Sequence, residues 1–213
     1  MDSKLKDLTH IYAQVPPDYY EEGKKKNLFQ KYWHSRKWAN LNKLSEEEPK
    51  NILDVGCSSG HILVKFGHKF PKSKLTGVDI STHFINFAKK KYPKINFSLS
   101  DAHKLPFKEN TFDMVICTET LEHVVDPQKV LREMRRVVSP SGYGLISMDT
   151  GSPLFNIVWK IWSGWGPGKV WRGSHIFEFD EKKLERMIKK SGLNITDKNK
   201  SVFGMSVTFK VVK

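Results

Sequence analysis

An apolar strand runs directly into a glycine-rich turn at residues 51–60, Asn51-Ile52-Leu53-Asp54-Val55-Gly56-Cys57-Ser58-Ser59-Gly60. A second apolar run, Leu75-Thr76-Gly77-Val78, ends in Asp79, nineteen residues after Gly60. Glycine lets the backbone approach a ligand closely, and a carboxylate at the tip of the neighbouring strand can accept hydrogen bonds from two ribose hydroxyls. The pair therefore predicts a nucleoside-binding pocket at the edge of a sheet.

Three motifs compete for the glycine turn. A dinucleotide-binding G-x-G-x-x-G would need glycine where the chain has Ser58 and His61, so the glycine for close helix packing is missing. The nucleophile elbow G-x-S-x-G would make Ser58 an attacking hydroxyl, but Asp54 precedes the turn and no HGGG-like oxyanion segment lies upstream. The third motif is Asp-x-Gly-x-(Gly/Ser)-x-Gly, and it alone also accounts for the rest of the chain.

This third pattern resembles motif I of the class I S-adenosylmethionine-dependent methyltransferases, and the resemblance runs from about Asn51 to the C-terminus. Asp79 matches the family's ribose-binding acid. A strand from Ile95 ends in Ser100-Asp101-Ala102, where the family's acid binds the adenine amino group and the next backbone N–H meets a ring nitrogen. Further matching stretches follow in the family's order: Leu105-Pro106-Phe107, Phe112-Asp113-Met114-Val115-Ile116-Cys117, Thr118-Glu119-Thr120-Leu121-Glu122-His123-Val124 and Leu131 to Gly142.

The resemblance implies that S-adenosyl-L-methionine is the cofactor. The residues that it implies for cofactor binding are Asp54, Gly56, Cys57, Ser58, Gly60, Asp79, Ile80, Asp101, Ala102, Cys117 and Thr118. Two positions depart from the family pattern, since Ser58 replaces the commoner glycine and Ser141 replaces a usual second glycine. Both replacements are small, so they affect the local turn geometry rather than the assignment.

Strands and helices alternate at lengths that predict parallel βαβ units. The last two strands, Leu193 to Asn199 and Met205 to Val212, are joined by five residues, too few for a helical crossover, so they should pair antiparallel. We therefore predict an α/β fold with a Rossmann-like, doubly wound, mostly parallel seven-stranded sheet and an antiparallel C-terminal hairpin, as the resemblance also implies. Among the helices, one is predicted to be capped by Ser81 and another to begin at Asp126-Pro127.

The chain divides into a predicted N-terminal helical cap, residues 1–50, and a methyltransferase domain, residues 51–213. Within the domain, residues 151–179 form an aromatic, lid-like insertion. It holds four of the six tryptophans, Trp159, Trp162, Trp165 and Trp171. We expect a lid over a hydrophobic acceptor, with peripheral membrane contact through residues 154–171, or alternatively a helix that packs on the core or forms a dimer contact.

Methyl transfer from a sulfonium requires alignment and exclusion of water more than covalent help. His175 is the preferred candidate for a general base, because it follows the predicted lid and looks like the family's frequent histidine after strand five. His123, after strand four, is the second candidate, and both histidines could instead be structural. In the N-terminal helix, Tyr32, His34 and Arg36 are candidates for binding the methionine carboxylate.

The formal net charge is +13, and its excess is greatest in residues 151–213, which carry 12 basic and 5 acidic side chains. A solvated helix face, anionic lipid and RNA are three open explanations. Cys57 and Cys117 lack metal-ligand spacing and are expected to be small buried residues, so no metal site is predicted. With no signal-peptide core and no apolar run near about 18 residues, we expect a cytoplasmic protein, in peripheral contact with the inner membrane surface if the lid reaches it.

The sequence thus predicts a methyltransferase that acts on a small or lipid-like acceptor, with a quinone among the candidates. The alternatives are an RNA or protein methyltransferase and a non-catalytic protein that binds the cofactor. Methylation of DNA amino groups is disfavoured, because Cys117-Thr118-Glu119-Thr120 stands where an Asn/Asp-Pro-Pro-Tyr motif would follow strand four. Nucleic acid is therefore the less favoured partner, and the pattern indicates neither the acceptor atom nor the oligomeric state.

Overall fold

The structure is a computed structural model that describes residues 11–177 and 179–213. Its strands are β1 Asn51–Val55, β2 Lys74–Asp79, β3 Asn96–Leu99, β4 Phe112–Thr118, β5 Val138–Asp149, β6 Asn194–Ser201 and β7 Ser206–Val212. Its helices are α1 Tyr19–Lys26, α2 Leu28–Leu44, α3 His61–Lys69, α4 Thr82–Lys91, α5 Pro127–Val137, α6 Pro153–Trp165 and α7 Glu181–Lys190, with 3₁₀ turns at Leu121–His123 and Pro167–Trp171.

The strands form one sheet in the order β3-β2-β1-β4-β5-β7-β6. The β1–β2, β1–β4, β2–β3 and β4–β5 pairs are parallel, whereas β7 pairs antiparallel with both β5 and β6. The predicted fold class and the antiparallel hairpin are confirmed. Because the strand order reverses between β1 and β4, a crevice opens outside their carboxyl ends, where ligands bind in open α/β sheets.

Apolar helix stripes cover both faces of the sheet. On one face, α5 and α7 bury Val130, Met134, Val137, Leu184 and Ile188, at the i, i+4 and i+7 spacing of a single helix side. On the other face lie α2, α3 and α4, whose buried side chains include Leu41, Leu44, Leu63, Phe66, Ile85 and Ala88. The sheet is thus packed between helices on both faces. The loops that follow the carboxyl ends of its strands are therefore attached to a rigid core.

The helix-start signals of the sequence correspond to observed caps. The Ser81 hydroxyl accepts a hydrogen bond from the Phe84 N–H at 3.4 Å, and the Asp126 carboxylate accepts one from the Lys129 N–H at 3.0 Å. Strand β3 is shorter than the predicted run from Ile95 to Ala102. It ends at Leu99, because residues 100–104 leave the sheet in a turn where the His103 N–H donates to the Asp101 carboxylate at 2.9 Å.

The N-terminal segment forms two helices that lie beside the C-terminal hairpin and the glycine turn. Tyr19 to Leu44 is helical as predicted, with a break at Asn27, whose side chain caps α2 by accepting from the Gln30 N–H at 3.0 Å. Residues 1–10 of the predicted cap lie outside the described residues. Among the described helices, none combines the length and the apolar character needed to cross a membrane.

Candidate cofactor and acceptor site

The turn after β1 is built so that its backbone faces the carboxyl end of β2. Gly56 and Gly60 have φ values of +74° and +80°, and Ser58 has +48°, so the commoner family glycine is replaced by a serine that adopts the same left-handed region. A Cβ on Gly56 would lie 2.3 Å from Thr120 Oγ1, and the Gly56 N–H donates to the Val78 carbonyl at 2.8 Å. Glycine at position 56 is therefore required both by conformation and by space.

Asp79 lies against this turn. Its Oδ2 accepts a hydrogen bond from the Ser58 N–H at 2.8 Å, and its Oδ1 accepts one from the Ser81 N–H at 2.9 Å. Burial raises the pKa of Asp79, and the two backbone hydrogen bonds oppose that shift. Each carboxylate oxygen keeps a second lone pair, so the group can still accept hydrogen bonds from a ligand.

A cavity of about 230 Å³ opens beside the turn and Asp79. Nine of the predicted cofactor-binding residues line it: Asp54, Gly56, Cys57, Ser58, Asp79, Ile80, Asp101, Ala102 and Thr118. Gly60 and Cys117 do not line it, because Gly60 ends the turn as the N-cap of α3 and Cys117 is buried within β4. Cys57 is also buried, as expected for a small residue at a strand end.

Asp54 and Asp101 are the other two carboxyl groups on the cofactor side of the cavity. Burial and the neighbouring charge of Asp79 raise the pKa of Asp54 to about 8, so at neutral pH this group is mostly protonated and can donate. Partial burial opposes ionisation of Asp101, but hydrogen bonds from His103 lower its pKa overall. His103 Nδ1 lies 2.6 Å from Asp101 Oδ1 and holds the carboxylate in place.

A buried lysine on α2 was missed by sequence reasoning. Lys37 Nζ lies 2.6 Å from Glu119 Oε2 and 2.9 Å from Asp149 Oδ1, so it joins the ends of β4 and β5. Burial lowers the pKa of Lys37, but the two carboxylates outweigh it and raise the pKa overall. Gln30, Lys37, Leu41 and Leu44 are buried along α2. The signal available in the sequence was that the polar residues Gln30 and Lys37 share this side of the helix with two leucines.

Both predicted candidates for a general base line the same cavity. The His123 and His175 ring centroids lie 5.1 Å apart, and His175 stacks on Trp159 with a centroid distance of 4.5 Å. Burial, with the neighbouring His123, lowers the pKa of His175 to about 4, so its ring is neutral at pH 7. Burial also raises the pKa of Glu122, which precedes His123 in the 3₁₀ turn Leu121–His123.

The N-terminal helices and the insertion together roof the cavity. The Tyr19 hydroxyl donates to the Pro167 carbonyl at 3.0 Å, and the Tyr20 ring stacks on Trp171 with a centroid distance of 5.9 Å. Of the three residues suggested for the methionine carboxylate, His34 lines the cavity, whereas Tyr32 and Arg36 are exposed and do not. Neither of those two is placed to meet a ligand there.

Helix α6 is apolar on two faces. The residues that face the cavity are Phe155, Val158, Trp159 and Trp162. The residues that face outward, and are between 45% and 88% exposed, are Leu154, Ile157, Ile161 and Trp165. The helix is short and strongly apolar, and its two faces separate a wall of the cavity from an outer surface.

Comparison with known proteins gives the class that this sheet and turn define. Residues 53–146, rather less than half of the chain, match the family model described as a methyltransferase domain. Over these residues the chain is similar to methyltransferase domains. This match supports the predicted class I S-adenosylmethionine-dependent methyltransferase family and S-adenosyl-L-methionine as the predicted cofactor.

Individual relatives differ in the compounds for which they are named. The chain is 35% identical over 109 residues to norajmaline N-methyltransferase of Rauvolfia serpentina, a match that covers 49% of this chain and 37% of the relative. It is 34% identical over 112 residues to the ubiquinone/menaquinone biosynthesis C-methyltransferase UbiE of Desulfotalea psychrophila, covering 52% of this chain and 45% of the relative. The chain thus spans less than half the length of both relatives.

A solved SAM-dependent methyltransferase from Thermotoga maritima has the same fold. It superposes with a TM-score of 0.76 at 19% identity, over 96% of this chain and 99% of that chain. The likeness extends to the C-terminal hairpin and to the N-terminal helices, since nearly the whole of both chains is covered. At this identity the likeness concerns the fold.

The residues present at the cavity fit the cofactor. The turn at Gly56 is a cradle that a Cβ would fill, and the Asp79 carboxylate retains acceptor capacity toward the cavity. Among the described residues, several buried polar atoms of the lining lack a hydrogen-bond partner, and they are Gln30 Oε1, Asp54 Oδ1, Ser58 Oγ, His61 Nδ1, Glu119 Oε1, Glu122 Oε2 and Ser174 Oγ. Buried polar atoms are rarely left unpaired, so this wall is suited to a ligand that carries hydroxyl and amino groups.

Proposed function

We propose that this protein transfers a methyl group from S-adenosyl-L-methionine to a small or lipid-like acceptor, with quinone-type rings among the candidates. The observation that carries the proposal is the contact of Asp79 with the Ser58 N–H, inside a cavity that continues to a wall of tryptophans. A donor site and an apolar acceptor space are thereby contiguous. This contiguity is what transfer between two bound molecules requires.

The cofactor side of the cavity is assigned on the pattern of the family. Asp79 would accept hydrogen bonds from the two ribose hydroxyls, and the turn from Gly56 to Ser58 would lie along the donor. Asp101 would bind the adenine amino group, with the Ala102 N–H directed at a ring nitrogen. The donor supplies an activated methyl group, so the contribution of the chain is to bind, to align and to exclude water.

The acceptor side favours a flat or apolar molecule. Trp159, Trp162 and Trp171 line the cavity, together with Phe29 and Phe155. Aromatic walls bind rings by offset stacking and by burial of apolar area. One relative is named for ubiquinone and menaquinone biosynthesis and another for N-methylation of norajmaline, and both names support a small-molecule acceptor.

His175 remains the preferred base for an acceptor that must lose a proton, with His123 second. The ring of His175 is neutral at pH 7, which is the form that accepts a proton, although burial makes it a weaker base than an ordinary histidine. Its stacking on Trp159, one of the aromatic residues proposed to bind the acceptor, supports this role. An acceptor that needs no base would leave His175 with a positioning role.

The test is a transfer assay with methyl-labelled donor and separate panels of quinones, lipids and RNA. We expect label in a quinone or lipid fraction, and a lower turnover number in His175→Ala with little change in donor affinity. The exposed His83 provides the matched control, His83→Ala, which should retain wild-type turnover.

Other outcomes would replace the proposal. Label in RNA or in protein would establish the alternative acceptor classes, and bound donor without transfer to any panel would support a non-catalytic binding protein. Full activity of His175→Ala would remove its role as a base.

A further inference from the structure

Two separate segments meet at the rim of the cavity. The Ile176 and Phe177 N–H groups donate to the Glu122 carbonyl at 2.9 and 3.1 Å, which pins residues 174–177 against the 3₁₀ turn Leu121–His123. As a result His175 is carried next to Glu122 and His123.

The three side chains offer a compact set of ligand atoms. One carboxylate oxygen of Glu122 and one ring nitrogen each of His123 and His175 all lie within 4.8 Å of one another. Ligands that share one ion at bond lengths of about 2.1 Å are roughly 3 to 3.5 Å apart. Binding of one ion would therefore bring these atoms closer by at most about 1 to 2 Å.

The hydrogen bond of His123 leaves its other nitrogen free to bind an ion. His123 Nδ1 lies 2.7 Å from the Ser174 carbonyl oxygen, and since that oxygen can only accept, Nδ1 carries the proton. Nε2 then has its lone pair free and faces Glu122 Oε1 at 3.9 Å. Histidines that bind metals commonly donate their second ring N–H to a backbone carbonyl in this way.

Glu122 is a buried carboxyl group with one unpartnered oxygen. The residue is 5% exposed, and among the described residues its Oε2 has no hydrogen-bond partner. Lys37 already forms ion pairs with Glu119 and Asp149, so its positive charge is not available to pair with Glu122. A buried charge is stable only when it is paired or coordinates a metal.

We propose that Glu122, His123 and His175 hold one divalent cation of the Mn²⁺ or Zn²⁺ kind at the edge of the cavity. Two imidazoles and a carboxylate suit first-row transition ions and Zn²⁺, whereas Ca²⁺ and Mg²⁺ favour sets made of oxygen. Because all three residues line the cavity, positions on the ion remain open toward it, where an oxygen of the acceptor can bind. That last role rests on the proposed methyl transfer, but binding of the cation does not. While His175 holds the ion through its basic nitrogen, it positions the acceptor and does not act as the general base.

The experiment uses the full chain after dialysis against EDTA, without donor or acceptor. Mn²⁺ is titrated and the free ion is followed by electron paramagnetic resonance, and Zn²⁺ is titrated by calorimetry. We expect one ion per chain, and at least tenfold weaker binding when His123→Ala and His175→Ala are combined. The control combines His68→Ala with His83→Ala, two exposed histidines away from the cluster, and should bind as the wild type does.

Glu122→Gln keeps the side-chain shape and removes the charge, so it decides the question if the double variant does not fold. Zn²⁺ should raise the melting temperature of the wild type and of the control, and should not raise that of Glu122→Gln. Absence of saturable binding to the wild type, or equal binding by Glu122→Gln, would overturn the proposal. Donor binding measured in EDTA is a separate readout, so loss of methyl transfer and loss of the cation site can be told apart.

Discussion

At the level of single residues, two carboxyl groups at the ends of neighbouring strands differ in their hydrogen-bond partners. Asp79 accepts backbone hydrogen bonds from Ser58 and Ser81, which favour its ionised form. Asp54 is 1% exposed, and its Oδ1 has no partner among the described residues. Asp79 is therefore suited to accept hydrogen bonds and Asp54, with its pKa near 8, to donate one.

The raised pKa of Asp54 gives a pH dependence of stability. Folded Asp54 keeps its proton up to about pH 8, whereas the unfolded chain releases it near the ordinary value of 3.8. Between these values the folded state binds more protons, so the free energy of unfolding contributed by this group falls as pH rises. Asparagine does not titrate, so the Asp54→Asn variant lacks this loss. The difference between its free energy of unfolding and that of the wild type should therefore shift in favour of the variant from pH 5 to pH 8.

Urea denaturation at pH 5, 6.5 and 8 measures this difference. The exposed Asp197 on β6 gives the control, since Asp197→Asn should shift stability by a similar small amount at each pH. A difference between Asp54→Asn and the wild type that does not change with pH would contradict the burial argument.

At the level of elements, α6 has an outer apolar face that the proposed acceptor site does not use. Ile157 and Ile161 are 60% and 61% exposed, and Trp165 is 88% exposed. Burying three such side chains in a bilayer interface contributes on the order of 5 kcal/mol. This is enough for reversible attachment, and the net charge of +13 adds attraction to anionic lipid.

Flotation with vesicles that contain anionic lipid tests this face. We expect the wild type to float and the combined variant Ile157→Ser, Ile161→Ser and Trp165→Ser to stay at the bottom, with donor affinity unchanged. Leu99→Ser, an exposed leucine on the edge strand β3, should float like the wild type. The inward residues Trp159 and Trp162 are poorer targets, because changing them also alters the cavity. A wild type that never floats would rule out the membrane contact.

The elements that sequence could predict are those governed by local chemistry. The turn at Gly56, the caps at Ser81 and Asp126 and the antiparallel hairpin depend on residues near in the chain, and all are observed. Contacts between distant segments could not be predicted in the same way. Lys37 meets Glu119 and Asp149 only because α2 packs across the ends of β4 and β5, which no local pattern shows.

At the level of the whole molecule, three distant parts of the chain enclose one cavity. The sheet supplies the floor, the N-terminal segment supplies Tyr12, Tyr19 and Tyr20, and the insertion supplies its tryptophans. The Tyr19 to Pro167 hydrogen bond joins the two roofing segments directly. Binding of a donor should therefore stabilise the roof as well as the turn, because both contact the same space.

The most direct test is calorimetric titration of S-adenosyl-L-methionine into the wild type and into Asp79→Asn, in EDTA so that no metal contributes. Asn keeps the shape of the side chain but loses the charge and one acceptor, so we predict one site per chain and at least about tenfold weaker binding, roughly 1.4 kcal/mol, in the variant. Asp197→Asn should bind like the wild type. Undiminished affinity in Asp79→Asn, or no binding by the wild type, would contradict the assignment of this cavity to the methyl donor.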